Sequence, residues 1–206
     1  MSAGDGRLYA PATERNRAPI LAVLEPLLLE GSVLEVASGT GEHATWFAAR
    51  LPALRFVPSD PDPAHRASIA QWTRALGVTN VAPPLDLDAT AAEWTLPAAE
   101  LARLRAVICI NMIHIAPWQA TEGLMRNAAA VLPPGGVLYL YGPFRRGGQH
   151  TAPSNAAFHE SLRAQNPAWG VRDLEAVQAQ ALAHGLATGQ VTEMPANNLS
   201  LVLRRA

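Results

Sequence analysis

What the sequence has little of narrows its chemistry first. It carries a single cysteine, Cys109, which excludes an internal disulfide and any metal site built from cysteines. Its six histidines, at 43, 65, 114, 150, 159 and 184, show neither His-x3-His nor His-Glu-x-x-His spacing, so no metal is expected. Charged residues are 16% of the chain and the formal net charge is −1. No basic block interleaved with aromatics is present, which argues against nucleic acid as a partner. No apolar run approaches the roughly 18 residues of a membrane span, because Glu25 and Pro26 interrupt the leucine-rich stretch near the start. No charged-then-apolar leader is seen either, so a soluble, cytoplasmic protein is expected. Gly-x-Ser-x-Gly and Gly-x4-Gly-Lys motifs are missing as well. With 206 residues and no repeat or linker, the expectation is one domain over 14–206 behind a flexible tail over 1–13.

The most telling stretch is Val33-Leu34-Glu35-Val36-Ala37-Ser38-Gly39-Thr40-Gly41. An apolar run with one acid breaks into a turn of small residues, and residues 43–50 read as a helix. Strand, glycine turn and helix N-terminus bring backbone N–H groups and bare Cα atoms against a nucleotide-like ligand. Gly39 and Gly41 supply tight turning and close approach, since neither has a Cβ. Gly39-x-Gly41-x-x-Ala44, with Asp60 about 20 residues further on, also fits a dinucleotide fingerprint. A dinucleotide would dock its pyrophosphate close above Glu35, whereas a buried acid favours a cationic ligand. S-adenosylmethionine is adenosine-like at one end and cationic at the other. The segment resembles the acid-x-Gly-x-Gly-x-Gly first motif of class I methyltransferases, with Ala37 in place of the usual first glycine.

Around this motif the pattern predicts a helix over 14–30, with Pro19 in its first turn and Pro26 kinking or ending it. A strand over 55–59 leads to a helix over 64–76, with Ile69, Trp72 and Leu76 facing inward and Gly77 closing it. Strands follow over 78–86, 106–111 and 137–142, with a helix over 118–132. Residues 145–151 read as a glycine-rich loop, 155–165 and 173–184 as helices. Strands over 190–193 and 199–204 are placed as an antiparallel hairpin at the sheet edge. The alternation predicts an α/β, single-domain Rossmann-like fold: a mostly parallel seven-stranded sheet with an antiparallel last strand.

Ligands of such sheets lie beyond the carboxyl ends of the strands. Asp60, ending the second strand, is expected to accept the ribose hydroxyls; an Asx-type turn before Pro61 is the plainer role, and Asp62 a weaker substitute. In Leu85-Asp86-Leu87-Asp88, Asp86 is read on the adenine amino group and Leu87 against the ring, while Asp88 or Thr90 caps a helix starting at Ala91. Asn111 and His114 leave the most apolar strand. Asn111 is a candidate for the methionine end of the cofactor or for orienting the acceptor. His114 is a candidate base, or a half-buried histidine bonded to a backbone carbonyl. Tyr141, Asn155, Arg172 and Asn197 are candidates for lining an acceptor pocket; a packed tyrosine, an Arg172-Asp173 ion pair and a hairpin turn are their plain readings.

Taken together, Glu14-Arg15-Asn16, residues 34–43, Pro58-Ser59-Asp60, residues 109–115, Tyr141-Gly142-Pro143-Phe144, Ser154-Asn155, Asn166-Pro167-x-Trp169-Gly170-Val171-Arg172-Asp173 and residues 194–198 resemble the DUF938 family, also called UPF0585, nearly end to end. The resemblance implies a class I methyltransferase fold and S-adenosylmethionine binding, makes Ala37 a family trait, and implies no acceptor. The expected function is S-adenosylmethionine-dependent methyl transfer to an oxygen or nitrogen of a small molecule. Glu35, Ser38, Gly39, Gly41, Asp60, Asp86, Leu87 and Asn111 would hold the cofactor. The alternatives are a protein that binds this cofactor without transferring its methyl group, and a nicotinamide-dependent oxidoreductase, which Glu35 disfavours.

Overall fold

The computed structural model describes residues 4–206, so the first three residues of the expected tail lie outside it. Two compact units are distinguished: residues up to Asp88 with Trp94–Ile108, and Ala89–Glu93 with Cys109–Ala206.

The first unit is built on β1 (Gly31–Val36), all of whose residues are buried, as a strand covered on both faces requires. It pairs in parallel with β2 (Leu54–Pro58), from Gly31 opposite Leu54 to Glu35 opposite Pro58. Around them lie α1 (Pro11–Leu24), α2 (Glu42–Ala48), α3 (Pro63–Leu76), α4 (Ala98–Leu101) and β3 (Leu104–Ile110). Val33, Leu34, Phe47, Phe56 and Ile69 are fully buried. The Asp62 carboxylate accepts the Ala64 N–H at 2.8 Å and caps α3, which ends at Gly77 in the left-handed conformation, φ 63°. Leu76, expected inside, is 45% exposed.

The strand expected over 78–86 is reduced to two bridges, Phe56 with Val81 and Ser59 with Leu85. Pro83 and Pro84 carry no N–H, so a ladder cannot run through them. No helix starts at Ala91; turns and bends run through that segment, and α4 begins only after Pro97. Two residues of the expected tail, Leu8 and Ala10, carry hydrogen bonds to the rest of the first unit. The Leu8 N–H donates to Ser68 Oγ at 2.9 Å, the Ala10 N–H to Glu42 Oε2 at 2.6 Å, and the Trp72 indole to the Leu8 carbonyl at 2.9 Å. Pro11 starts α1 three residues earlier than expected, so Pro19 falls inside the helix, which ends at Leu24 ahead of Pro26.

The second unit contains α5 (Trp118–Val131), β4 (Val137–Gly142), β5 (Phe144–Arg146), β6 (Gln149–His150), α6 (Pro153–Gln165), β7 (Arg172–Asp173), α7 (Leu174–Ala183), β8 (Leu186–Met194) and β9 (Asn198–Arg205). Leu124, Leu138, Tyr139, Val177, Leu201 and Leu203 are fully buried. β9 is antiparallel to both β4 and β8 and therefore lies between them, leaving β8 at the edge. The expected glycine-rich loop is a small sheet instead. Gly147 and Gly148, φ 55° and 76°, turn β5 back onto β6, and β7 pairs with β5 in parallel.

The main sheet has six strands and is mostly parallel, with its last strands antiparallel. Six strands are present in place of the expected seven, the missing one being the proline-interrupted edge segment. No helix among the described residues is long and apolar enough to cross a membrane.

Candidate functional site

In the first unit the β1–α2 turn gathers most of the residues expected to hold a cofactor. Ala37, Gly39 and Gly41 adopt φ 55°, 56° and 87°, the left-handed region that favours glycine. The turn is stitched to the end of β2: the Ser38 N–H donates to the Ser59 carbonyl at 2.8 Å, and the Ser59 N–H and hydroxyl donate to the Glu35 carbonyl at 2.9 and 2.8 Å. A Cβ on Gly39 would meet no atom within 4 Å, so the turn is open there. One on Gly41 would sit 2.7 Å from Ile69 Cα, so helix α3 requires that glycine.

Glu35 is 2% exposed, and its Oε2 is buried without a hydrogen-bond partner. Burial pushes its carboxyl up to about 7. The Ser38 hydroxyl and the Ala44 N–H favour the charged form and offset this only in part, while the Asp60 carboxylate adds repulsion. A half-satisfied carboxylate of this kind is a site for a positive group.

Asp60 does more than end a strand. Its Oδ2 accepts the Gly39 N–H at 2.9 Å; its Oδ1 accepts the Asp62 N–H at 2.9 Å and lies 3.1 Å from His65 Nδ1. Three of roughly four lone-pair sites are engaged, leaving room on Oδ2 for one further donor. Asp86 is exposed and pairs with Arg66 at 3.1 Å; Arg66 also donates to the Asp60 and Pro61 carbonyls, both at 2.8 Å. Leu87 is buried. Sequence reasoning missed His65 and Arg66, because only the first turn of α3 brings them back to Asp60. It also missed Glu42, whose Oε2 accepts from Thr40 Oγ1 at 2.9 Å as well as from Ala10.

In the second unit His114 is fully buried. Its Nδ1 accepts the Arg172 N–H at 3.3 Å, its carbonyl accepts the Gly170 N–H at 2.8 Å, and its ring meets Phe144 edge-on at 5.0 Å. Burial, then repulsion by Arg172, takes it down to about 3 against a bond to Gly170 that raises it. The imidazole is neutral, and Nε2 is buried without a partner. Asn111 adopts φ 62°, which asparagine tolerates better than most residues; its N–H donates to the Tyr141 carbonyl at 2.8 Å. Tyr141 is buried. Arg172 spends its guanidinium on the carbonyls of Ile113, Ala116 and Ala168 at 2.9, 2.6 and 2.9 Å; Asp173 pairs with Arg145 and not with its chain neighbour. Asn155 donates to Thr151 Oγ1 and to the Asn197 carbonyl at 3.0 and 2.9 Å, which joins α6 to the left-handed Ala196-Asn197 turn, φ 58° and 59°. Asn197 also lines a cleft of about 190 Å³. Among the described residues no group of three His, Cys, Asp or Glu side chains is arranged to hold a metal ion.

Comparison with known proteins bears on the family and the fold. A family described as "Protein of unknown function (DUF938)" matches residues 7–205. Solved structures with the same fold include an O-methyltransferase family protein from Burkholderia thailandensis, with TM-score 0.76 and 17% identity over 95% of this chain and 57% of that one. The mitomycin 7-O-methyltransferase MmcR aligns with TM-score 0.80 and 14% identity, over 95% of this chain and 54% of its own. Human N-acetylserotonin methyltransferase, solved in complex with SAM, gives 0.76 and 13%, over 95% and 53%. The chain thus spans little more than half the length of these proteins. At such identities the likeness shows the fold: α/β, Rossmann-like, of the class I methyltransferase type.

Proposed function

The chain belongs to the DUF938 family, and from that footing we propose that it binds S-adenosylmethionine and transfers a methyl group to an oxygen or nitrogen of a small-molecule acceptor. The observation that carries the reading is the buried, unpartnered Oε2 of Glu35 beside a turn left open at Gly39. A pyrophosphate there would meet a carboxylate; an amino or sulfonium group would compensate it.

Glu35 and Ser38 would hold the cationic end, and Gly39 and Gly41 would admit the ligand. Asp60 would accept one ribose hydroxyl on its remaining lone pair. Asp86 would exchange its exposed Arg66 pair, which costs little to break, for the adenine amino group, with Leu87 against the ring. The donor's methyl is already activated as a sulfonium, so the protein's task is alignment and exclusion of water. Asn111, Tyr141, Asn155, Arg172 and Asn197 are assigned to acceptor handling. His114 we assign as a positioning residue for Arg172, since a neutral, fully buried imidazole with a pKa near 3 is a weak base at neutral pH. The reaction is placed in the cytoplasm, on a small molecule and not on nucleic acid.

That same buried histidine favours the second reading, cofactor binding without methyl transfer. Calorimetry with S-adenosylmethionine tests the shared premise. Release of S-adenosylhomocysteine over a panel of small acceptors then separates the two readings. Saturable NADH binding with none for S-adenosylmethionine would overturn both.

A further inference from the structure

One cluster in the second unit has no part in holding an adenosyl donor. A cleft of about 400 Å³ is walled by Trp118 and Trp169 and carries Arg145, Arg163, Arg172 and His159. Against these three guanidinium groups the lining holds one carboxylate, Asp173, which pairs with Arg145 at 2.7 Å. Three positive charges against one negative leave an excess of two.

The members differ in what they still have to give. Arg172 is fixed by its three carbonyl bonds and lies 5.8 Å from the centre of the Trp118 ring, so it forms part of the wall. Arg145 keeps a buried Nε without a hydrogen-bond partner. Arg163 is exposed and donates through Nη1 to the Pro167 carbonyl. His159 accepts the Val171 N–H on Nδ1 at 3.1 Å and contributes a neutral ring. Burial and the repulsion of Arg145 and Arg163 lower Arg172; burial, His150, Arg145 and Arg163 lower His159, against the pull of Glu160. Cations gathered in a concavity at such mutual cost, with donors left over, are matched by an anion. Guanidinium forks suit the two oxygens of a carboxylate or phosphate. Indole walls suit a flat body.

We propose that this cleft binds a small organic oxyanion, a carboxylate or phosphate carried on a planar ring, with Arg163 and Arg145 on the oxygens and Trp118 and Trp169 beside the ring. That this ligand is the methyl acceptor rests on the methyl-transfer reading; that it binds does not.

The test is titration of the full chain with benzoate, phenyl phosphate and the neutral benzamide, followed by tryptophan fluorescence and calorimetry at low salt. Either anion should bind saturably, weaken as salt is raised, and exceed benzamide at least tenfold. Arg163→Ala, at an exposed position, should reduce anion affinity about tenfold or more, as loss of a charge-assisted bond does, and Arg163→Lys should restore part of it. Carboxylate or phosphate is assigned by whichever probe binds tighter. Equal binding of benzamide, no binding of either anion at about 10 mM, or an unchanged Arg163→Ala variant overturns the proposal. S-adenosylmethionine is titrated separately. Anion binding without donor binding sinks the methyl-transfer reading alone, and donor binding without anion binding sinks this one alone.

Discussion

Replacing Glu35 with glutamine should make the protein more stable and worse at binding its proposed ligand. The carboxyl is raised from 4.5 to about 7 by burial, a shift of about 2.5 units, or roughly 3 kcal/mol at 1.36 kcal/mol per unit. The sign follows from proton counting. Between pH 4.5 and 7 the native state holds a proton that the unfolded chain has lost, so stability present below pH 4.5 is lost as pH rises through 7. Glu35→Gln removes that loss but leaves an amide group short of a partner, which costs about 1 kcal/mol. The net gain at pH 8 is about 2 kcal/mol, or about 4–8 °C in Tm for a chain of this size, shrinking towards zero by pH 5. Calorimetry at pH 8 should show S-adenosylmethionine affinity falling at least about tenfold, the value of one charged hydrogen bond. Thermal unfolding of both proteins at pH 5 and 8 supplies the other half. A variant less stable at pH 8, or a stability difference independent of pH, would refute the reasoning.

Further expectations concern neighbouring positions. Gly41→Ala, whose Cβ would crowd the Ile69 backbone at φ 87°, should cost about 3 kcal/mol in denaturant unfolding. Gly39→Ala, in open space, should cost about 1 kcal/mol yet weaken donor binding in calorimetry. Gly142→Ala would push its methyl into the His114 imidazole and should cost about 3 kcal/mol, read as a lower midpoint in denaturant. Acid titration should show two neutral histidines, the half-buried His43 near 4 and the buried His114 near 3. From pH 6.5 down to 4.5 the unfolded chain takes up two protons that these groups refuse, while native Glu35 holds one that the unfolded chain lacks. These groups then give a net loss of about 1.4 kcal/mol per pH unit in the wild type and about twice that in Glu35→Gln.

The alternating apolar runs and the glycine turn at Glu35 to Gly41 were legible because they are local: period, turn chemistry and capping are written in neighbours. Gly77 as the stop of α3 is of that kind. Proline showed where local reading overreached, since residues 78–86 look apolar enough for a strand but Pro83 and Pro84 cannot donate to one. The small sheet of β5, β6 and β7 joins residues 144–146 to 172–173, a pairing that no short window contains.

The charge state of the site was decided by tertiary structure. The sequence by itself determined that an acid precedes a glycine turn, that a histidine follows the most apolar strand and that an arginine stands just before a helix. Only packing decided that the Glu35 carboxylate keeps one buried oxygen unpaired, that His114 is sealed and neutral, and that Arg172 is consumed by carbonyls. A side chain's protonation and its spare hydrogen bonds depend on the solvent it has lost and the partners it has met, and both come from parts of the chain far away in sequence.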